Sequence, residues 1–589
     1  MQRFNPWRQA LGLLTASLLW ACSAPGSQPE GPTPSPPVRQ EAAAQPVLES
    51  VPMVSAAPVP AAPPPRADLG KSALADAPRA QELRPAPPPA APAKLMAQGS
   101  HALMAPRPPM PPPQPDTAKY TGFQDNPWQR VAEQPVSTFS ASVDTGSYAN
   151  VRRFLNRGQL PPRDAVRVEE LVNYFGYADP LPAAGDALPL RVTLQQSRSP
   201  WHPERGLLRI GIQGRDTARA TLPPANLVFL VDVSGSMGPP DRLPLVRSSL
   251  QLLAQQLRPQ DRVSLVSYAN GTQVVLPATA GDRQEAIRAA IQQLAAGGGT
   301  YGEAGIRLAY AQACAGFIKN GINRVLLATD GDLNIGVTDP KQLKALVEEQ
   351  RQAGIGLTTL GVGDSNYNEA LMKQLADAGD GSYHYLDSLQ EAHKVLVQQM
   401  RSTLEVIAKD LKLQIEFNPA VADEYRLIGY ELHQLQREDF NNDRVDAGEI
   451  GAGHRVTALY EWVPKGGAGT VDPLRYQGEK KAGGPANELA WLKLRFKHPG
   501  QSESVLHQLP VPVRALVLAQ QADAELRWAA AVAGWGQWLR GSTQIGGFDG
   551  QQALSLARTA VGEDAYGHRA EALRLMTLST ALKTGAPKP

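Results

Sequence analysis

The side chains best placed to bind a ligand carry oxygen and follow two apolar runs of the chain. The run at 227–233 leads into a D-x-S-x-S pattern, the run at 325–329 ends at an aspartate, and a threonine follows three glycines. Ligands of open α/β sheets bind at the carboxyl ends of strands, where these side chains would meet. Such oxygen donors select hard cations such as Mg²⁺, Mn²⁺ or Ca²⁺. The candidate residues are Asp232, Ser234, Ser236, Thr300 and Asp330.

A second group of oxygen-bearing residues lies further along the chain. Its members are Asp439, Asn441, Asp443, Asp446 and Glu449. The spacing of the first three resembles a calcium loop, but Arg444 replaces the glycine of an EF-hand and Ile450 stands where its bidentate glutamate belongs. We therefore favour a solvated hairpin tip between strands, with a second calcium site as the alternative.

The first group needs a sheet of parallel strands to position it, and the pattern of residues 226–404 predicts one. Continuous apolar runs alternate with amphipathic stripes, as in a doubly wound, Rossmann-like α/β domain with strands buried on both faces. The run at 272–278 is predicted to be an antiparallel edge. Strands are predicted at 227–233, 262–268, 272–278, 324–329, 356–362 and 383–386, and helices at 243–257, 283–294, 301–319, 340–353, 368–378 and 389–404.

Segments with β-type alternation flank this domain at 188–225 and 405–512. Strands on both sides suggest that the α/β domain is inserted into one β-sandwich; two unconnected β regions are the alternative. Small helical regions are predicted at 119–187 and 513–589. The apolar stripe of the second, which we interpret as core packing, contains Trp528, Val532, Trp535 and Leu539.

Residues 226–404 resemble the von Willebrand factor A (VWA) domain, through the D-x-S-x-S pattern, the threonine and the T-D-G at 329–331. The stretches NPWQ…ASVDTGSYANVRRFL (126–155) and EDFNNDRVDAGEIGAGHRVTALYEWVP (438–464) extend the likeness to bacterial YfbK-type proteins. Those proteins combine an N-terminal extension, a VWA domain and a C-terminal β-rich region. The resemblance covers nearly all of 120–585.

The resemblance implies a metal-ion-dependent adhesion site, abbreviated MIDAS. Ser234, Ser236 and Thr300 would be direct ligands of a divalent cation, with Asp232 and Asp330 completing or orienting the shell, often through water. Mg²⁺ is the first expectation, and Mn²⁺ or Ca²⁺ are the alternatives. Neutral hydroxyl ligands leave the ion electron-poor, so it retains Lewis acidity for a carboxylate offered by a protein partner.

The N-terminus predicts export and lipidation. Residues 1–21 have a basic start and an apolar run too short for a permanent membrane span, as in a signal peptide. Leu19-Trp20-Ala21-Cys22 resembles the lipobox of bacterial lipoproteins, with Trp20 departing from the usual small residue. Cys22 would carry the lipid, and Ser23 favours the outer membrane. An ordinary signal peptide is the alternative.

Residues 22–118 are predicted to be a disordered tether to this anchor. The stretch 23–117 holds 26 of the chain's 53 prolines and has no aromatic residue. Such a composition cannot bury enough apolar surface to offset the entropy of the chain.

The net charge and the absence of catalytic motifs argue against two classes of function. Removing residues 1–21 lowers the formal net charge from +2 to 0, which argues against a nucleic-acid partner. The sequence has no G-x-S-x-G, H-E-x-x-H, Walker loop or paired cysteine ligands, so we expect no enzyme. The first hypothesis is a metal-dependent protein-binding module of the cell envelope. The alternative is a structural or scaffolding lipoprotein, or an accessory subunit of an enzyme complex, in which the VWA domain is only an assembly platform.

Overall fold

A computed structural model describes residues 120–141, 144–183, 185–331, 340–363, 368–472, 474 and 484–585. The predicted signal peptide (1–21), the lipidation at Cys22 and the tether (22–118) lie outside the described residues. None of the helices in the described ranges is long and apolar enough to cross a bilayer.

The segment that precedes the α/β domain contributes short strands, two helices and a pair of long strands. Its elements are β1 (Gln129–Arg130), β2 (Val136–Ser140), α1 (Gly146–Asn156), α2 (Val168–Asn173), β3 (Leu190–Arg198) and β4 (Gly206–Gly214). β3 and β4 pair antiparallel along their whole length, with Leu190 opposite Gly214.

The α/β domain has a six-stranded sheet in the order β10-β9-β8-β5-β6-β7. Its elements are β5 (Ala225–Asp232), α3 (Leu243–Ala254), β6 (Arg262–Tyr268), β7 (Thr272–Ala280), α4 (Gln284–Gln293), α5 (Gly302–Ala315), β8 (Ile322–Thr329), α6 (Pro340–Gln352), β9 (Gly356–Gly361), α7 (Glu369–Ala378), β10 (Tyr383–Tyr385), α8 (Leu389–His393) and α9 (Met400–Leu404). All pairings are parallel except that of β7, the edge strand, with β6. The predicted doubly wound fold is confirmed.

Helices cover both faces of this sheet, which explains the continuous apolar run of β5. Leu227, Phe229 and Val231 join the core formed with α3, α4 and α8. Val228 and Leu230 face the other way, into the core formed with α5, α6 and α7. A strand with a helix layer on each face has no solvated side, so period-two alternation is absent.

The strands after α9 build a sandwich with the strands before β5. They are β11 (Val406–Phe417), β12 (Ala422–Ile428), β13 (Gly448–Gly451), β14 (Arg455–Pro464), β15 (Glu488–Lys497) and β16 (Ser504–Pro512). One sheet has the order β1-β12-β14-β4-β3, and the other has β13-β11-β15-β16 with β2 also on β11. Residues of both sheets share one core. In the sequence β4 precedes the α/β domain and β14 follows it, yet the two strands pair in one sheet. The predicted insertion of the α/β domain into a sandwich is therefore confirmed.

The helical segments at the two ends form one unit. The C-terminal helices are α10 (Ala524–Leu539), α11 (Gly550–Arg558) and α12 (His568–Gly585), and they share a core with α1 and α2. Trp528 and Trp535 are fully buried in it, as the apolar stripe predicted. Gly536 lets α2 approach α10 closely, because a β-carbon there would lie 2.8 Å from Leu171. The sequence predicted helical regions at 119–187 and 513–589 but not their contact, since a contact spanning several hundred residues leaves no local pattern.

Candidate functional site

The end of β5 positions the first candidate residue, Asp232. β5 lies between β6 and β8, so its carboxyl end is central in the sheet. The Asp232 carboxylate accepts hydrogen bonds from Ser234 N (2.8 Å), the Tyr268 hydroxyl (3.2 Å) and the Thr329 hydroxyl (3.0 Å). Donors from three neighbouring segments therefore fix its orientation. Burial raises the pKa of Asp232, as does the charge of Asp330, against the hydrogen bonds that lower it. A bound cation would stabilise the charged form of this buried carboxylate.

The two serines lie together in the loop after β5. The hydroxyl oxygens of Ser234 and Ser236 are 3.0 Å apart. Ser234 is buried, whereas Ser236 is exposed. Two hydroxyl oxygens this close can share one cation.

The glycine-rich loop that carries Thr300 packs against the loop of the serines. Gly235 N donates to Gly298 O (2.9 Å), and Gly297 N donates to Val233 O (2.8 Å). Gly298 has φ +84°, a conformation that other residues rarely adopt. Thr300, which is partly exposed, follows directly. The three glycines therefore allow the threonine loop to lie against the D-x-S-x-S segment.

Asp330, at the end of β8, is buried and contacts a residue that the sequence analysis missed. Arg242 Nη1 donates to Asp330 Oδ2 (2.7 Å) and to the carbonyl oxygen of Ser236 (2.7 Å). The arginine side chain is 7% exposed. A basic residue just before α3, close in sequence to the two serines, was the available signal, but no local pattern distinguishes it from a surface charge.

The donor set fits a hard divalent cation. The side chains at this edge of the sheet offer carboxylate and hydroxyl oxygens, and the two hydroxyls nearest each other are neutral. The residues that would hold the ion are Asp232, Ser234, Ser236, Thr300 and Asp330. Among the described residues no group of three or more His, Cys, Asp or Glu side chains is placed to hold a metal. The absence of such a group does not bear on this set, because three of its five members are Ser or Thr.

The second candidate group is distributed over ion pairs and turns. Asp443 pairs with Arg495 (3.1 Å), and Asp446 pairs with Arg351 (3.3 Å). The ammonium of Lys412 donates to the carbonyl oxygens of Asp439 (3.2 Å) and Asn442 (2.6 Å), so a protein cation contacts the loop already.

Within the part of the chain that the structure describes, the carboxylates of this group are not placed together to hold a metal ion. Glu449 Oε2 is buried without a hydrogen-bond partner among the described residues, and Asn441 ends the 3₁₀ turn Arg437–Asn441. The ion pairs and the Lys412 contacts hold this segment to the protein, but it is not the predicted hairpin tip: it connects β12 of one sheet with β13 of the other, and Glu449 belongs to β13. The second calcium site stays an untested alternative.

The last helical segment of the α/β domain is held by a buried charge cluster. α8 is followed by a π-helical turn, Lys394–Gln398, and then by α9, which leads into β11. Arg152 of α1 forms ion pairs with Asp387, Glu391 (2.7 Å) and Glu571 (3.0 Å). The cluster joins this segment to both ends of the helical unit. Sequence reasoning did not find it.

Comparison with known proteins assigns the class first. The von Willebrand factor type A domain profile matches residues 226–399, a von Willebrand factor profile matches 114–209, and the profile described as "Uncharacterized protein YfbK, C-terminal" matches 402–582. With the doubly wound fold, these matches define a VWA protein. Proteins of this class are typically protein-interaction or scaffolding modules, and nothing in the comparisons shows an enzymatic activity.

Similarity to a single protein over most of the chain identifies the family within this class. The uncharacterised protein YfbK of Escherichia coli (strain K12) is 50% identical over 473 residues, which are 79% of this chain and 81% of that protein. The chain therefore belongs to the YfbK family of VWA proteins, as the sequence predicted.

Two further matches are more distant. The uncharacterised protein sll0103 of Synechocystis is 28% identical over 213 residues, 36% of this chain and 49% of that protein. A solved von Willebrand factor type A structure from Catenulispora acidiphila covers 67% of this chain and 92% of its own, at 14% identity and a TM-score of 0.37. At that score the likeness carries no argument about function.

Proposed function

We propose that this protein is a lipid-anchored interaction protein of the bacterial outer membrane whose VWA domain binds a protein partner through a divalent cation. Mg²⁺ is the expected ion. The observation that carries the proposal is the set of oxygen donors at the carboxyl edge of β5 and β8, where the Ser234 and Ser236 hydroxyls are 3.0 Å apart beside the buried Asp232. Cys22 is the proposed site of lipidation.

The charges of the site support a partner that offers a carboxylate. Two of the five donors are acidic, and one of these, Asp330, is already paired with Arg242. A divalent ion bound here would keep positive charge that the protein does not neutralise. A carboxylate from a partner would complete both the coordination and the charge.

Direct titration of the full-length protein with Mn²⁺ tests the metal site. Asp232→Asn removes the buried charge, and Thr300→Ala removes a hydroxyl donor. Each should weaken Mn²⁺ binding at least tenfold in calorimetry. Asp282→Asn and Thr279→Ala are the matched controls, because both residues lie in the same domain away from β5; Asp282 is exposed and Thr279 is partly exposed. Mn²⁺ affinities of Asp232→Asn and Thr300→Ala equal to those of the controls would refute the site.

A metal-free assembly platform is the alternative, and Arg242 is the observation that favours it. Its guanidinium already supplies a positive charge to Asp330, so this carboxylate has a counter-ion without a metal. Co-purification of partners from solubilised membranes without cross-linking, in Mg²⁺ or in EDTA, separates the two proposals. Partners that leave in EDTA support the metal bridge. Partners that remain, in wild type and in Asp232→Asn alike, support the platform.

A further inference from the structure

Arg242 joins three of the loops at the metal-site edge of the sheet. One nitrogen, Nη1, donates to the Ser236 carbonyl in the loop after β5 and to Asp330 after β8, each at 2.7 Å. Its Nε lies against Gly363 after β9, where a β-carbon would be 2.5 Å away. Gly363 has φ +76°, and its carbonyl accepts the Tyr385 hydroxyl. The guanidinium is thus fixed within the site.

This position puts a permanent positive charge beside a proposed cation site. Asp232, Asp330 and Arg242 together have a formal charge of −1, and a divalent ion would bring them to +1. Without the arginine charge, the same ion would bring the group to zero. A guanidinium stays protonated at every relevant pH, so Arg242 remains positively charged whether or not the ion is bound.

We propose that Arg242 sets the charge of the metal site, lowering its affinity for the cation and raising the affinity of the loaded site for an anionic group of the partner. This inference rests on the proposed function. Repulsion between Arg242 and the ion weakens metal binding, and the net positive charge that remains attracts a carboxylate. The partner class is therefore an acidic protein surface, with an aspartate or glutamate at its centre.

The competing role for Arg242 is purely structural. By holding Ser236 and Asp330, the guanidinium would brace the ligand loops. Its loss would then disorder the ligands and weaken cation binding. The two roles predict opposite signs for the same measurement.

Calorimetric titration of the full-length protein with Mn²⁺ distinguishes them. Arg242→Gln removes the charge and should tighten Mn²⁺ binding by about tenfold, as expected for like charges a few ångströms apart in a partly screened site. Arg258→Gln is the matched control: Arg258 pairs with Asp261 (2.7 Å) in the same domain, away from the metal edge, so Mn²⁺ affinity should not change. Unchanged or weaker binding by Arg242→Gln would overturn the inference.

Arg242→Lys gives an independent reading should Arg242→Gln fold poorly. It keeps the charge but cannot reproduce the guanidinium geometry. Charge setting predicts a Mn²⁺ affinity within about threefold of wild type, whereas bracing predicts a large loss, which would overturn the inference.

The partner side is tested with acetate as the carboxylate probe. Water-proton relaxation of bound Mn²⁺ reports displacement of its water by acetate. The wild type should respond at lower acetate concentration than Arg242→Gln; an equal or reversed order would contradict the proposal. If the wild type binds no Mn²⁺, the proposed function fails and this inference with it. If the wild type binds Mn²⁺ and the variants do not show these signs, only this inference fails.

Discussion

Replacing Arg152 by methionine should destabilise the protein more than most single substitutions. Arg152 is 2% exposed and pairs with Asp387, Glu391 and Glu571. Methionine fills similar space but leaves these carboxylates without their guanidinium. Breaking a buried ion pair by removing one partner costs about 3–5 kcal/mol, because the remaining charge is uncompensated. We expect a loss in that range at pH 7.5.

The electrostatics of the cluster predict how this loss depends on pH. Burial acts to raise the pKa of Glu391, yet the charges of Lys394 and Arg152 hold it below its ordinary value. In wild type this carboxylate therefore contributes stability above the pKa of the unfolded chain and loses it as the pH falls through its folded pKa. Without Arg152 the pKa of Glu391 in the folded protein rises. In the variant this carboxylate is therefore protonated, and its buried charge removed, at a higher pH than in wild type. The difference between the two proteins should shrink as the pH is lowered towards 5.

Urea denaturation followed by tryptophan fluorescence measures this effect. Trp528 and Trp535 lie in the helical core that contains α1, so their emission reports its unfolding. Arg307→Met is the control, because Arg307 pairs with Glu303 (2.9 Å) on an exposed helix surface. Such pairs contribute about 0.5 kcal/mol or less. A loss below about 1 kcal/mol for Arg152→Met, or one equal to that of the control, would refute the reasoning about the cluster.

The other predictions concern pH, backbone packing and anchoring. Burial lowers the pKa of His384 to about 4, so the unfolded chain binds more protons below pH 6.5; relative to His384→Gln, wild type should lose about 2 kcal/mol between pH 8 and pH 5 in urea titrations. Parallel pH profiles would contradict this. Gly451→Ala should destabilise by at least about 2 kcal/mol, because its β-carbon would overlap the Ser402 carbonyl oxygen. Gly271→Ala, with open space around it, should change stability by less than about 0.5 kcal/mol, and equal effects in the two melts would refute the packing argument. Cys22→Ser should release the protein from membranes or leave it unprocessed; soluble wild-type protein without fatty acid would exclude lipidation.

Local sequence patterns predicted most of the strands and helices of the α/β domain. The apolar run that became β5 and the amphipathic stripe of α3 express burial in the spacing of side chains, which is visible without a structure. The antiparallel edge β7 was also predicted correctly. Asp232 and Asp330 were expected to lie at the same edge because each follows a predicted strand of an open α/β sheet; that β5 and β8 are neighbours in the sheet is shown by the structure. Helix ends were less exact: the helix predicted at 301–319 ends at Ala315.

The contacts between distant segments were decided only by the tertiary structure. Arg152 meets Glu571 across more than four hundred residues, and Arg242 meets Asp330 between two separate loops. A charged residue has the same local signature whether it is solvated or buried with a partner, so neither pair is visible in the sequence. The packing of the N-terminal and C-terminal helices into one unit likewise depends on contacts between segments far apart in the sequence. Within the α/β domain the sequence by itself determined which segments are strands and helices and which residue types end them. In the region 119–187, predicted to be helical, the strands β1 and β2 were missed, because both pair with strands far along the chain. The packing of the segments determined which charges are buried together.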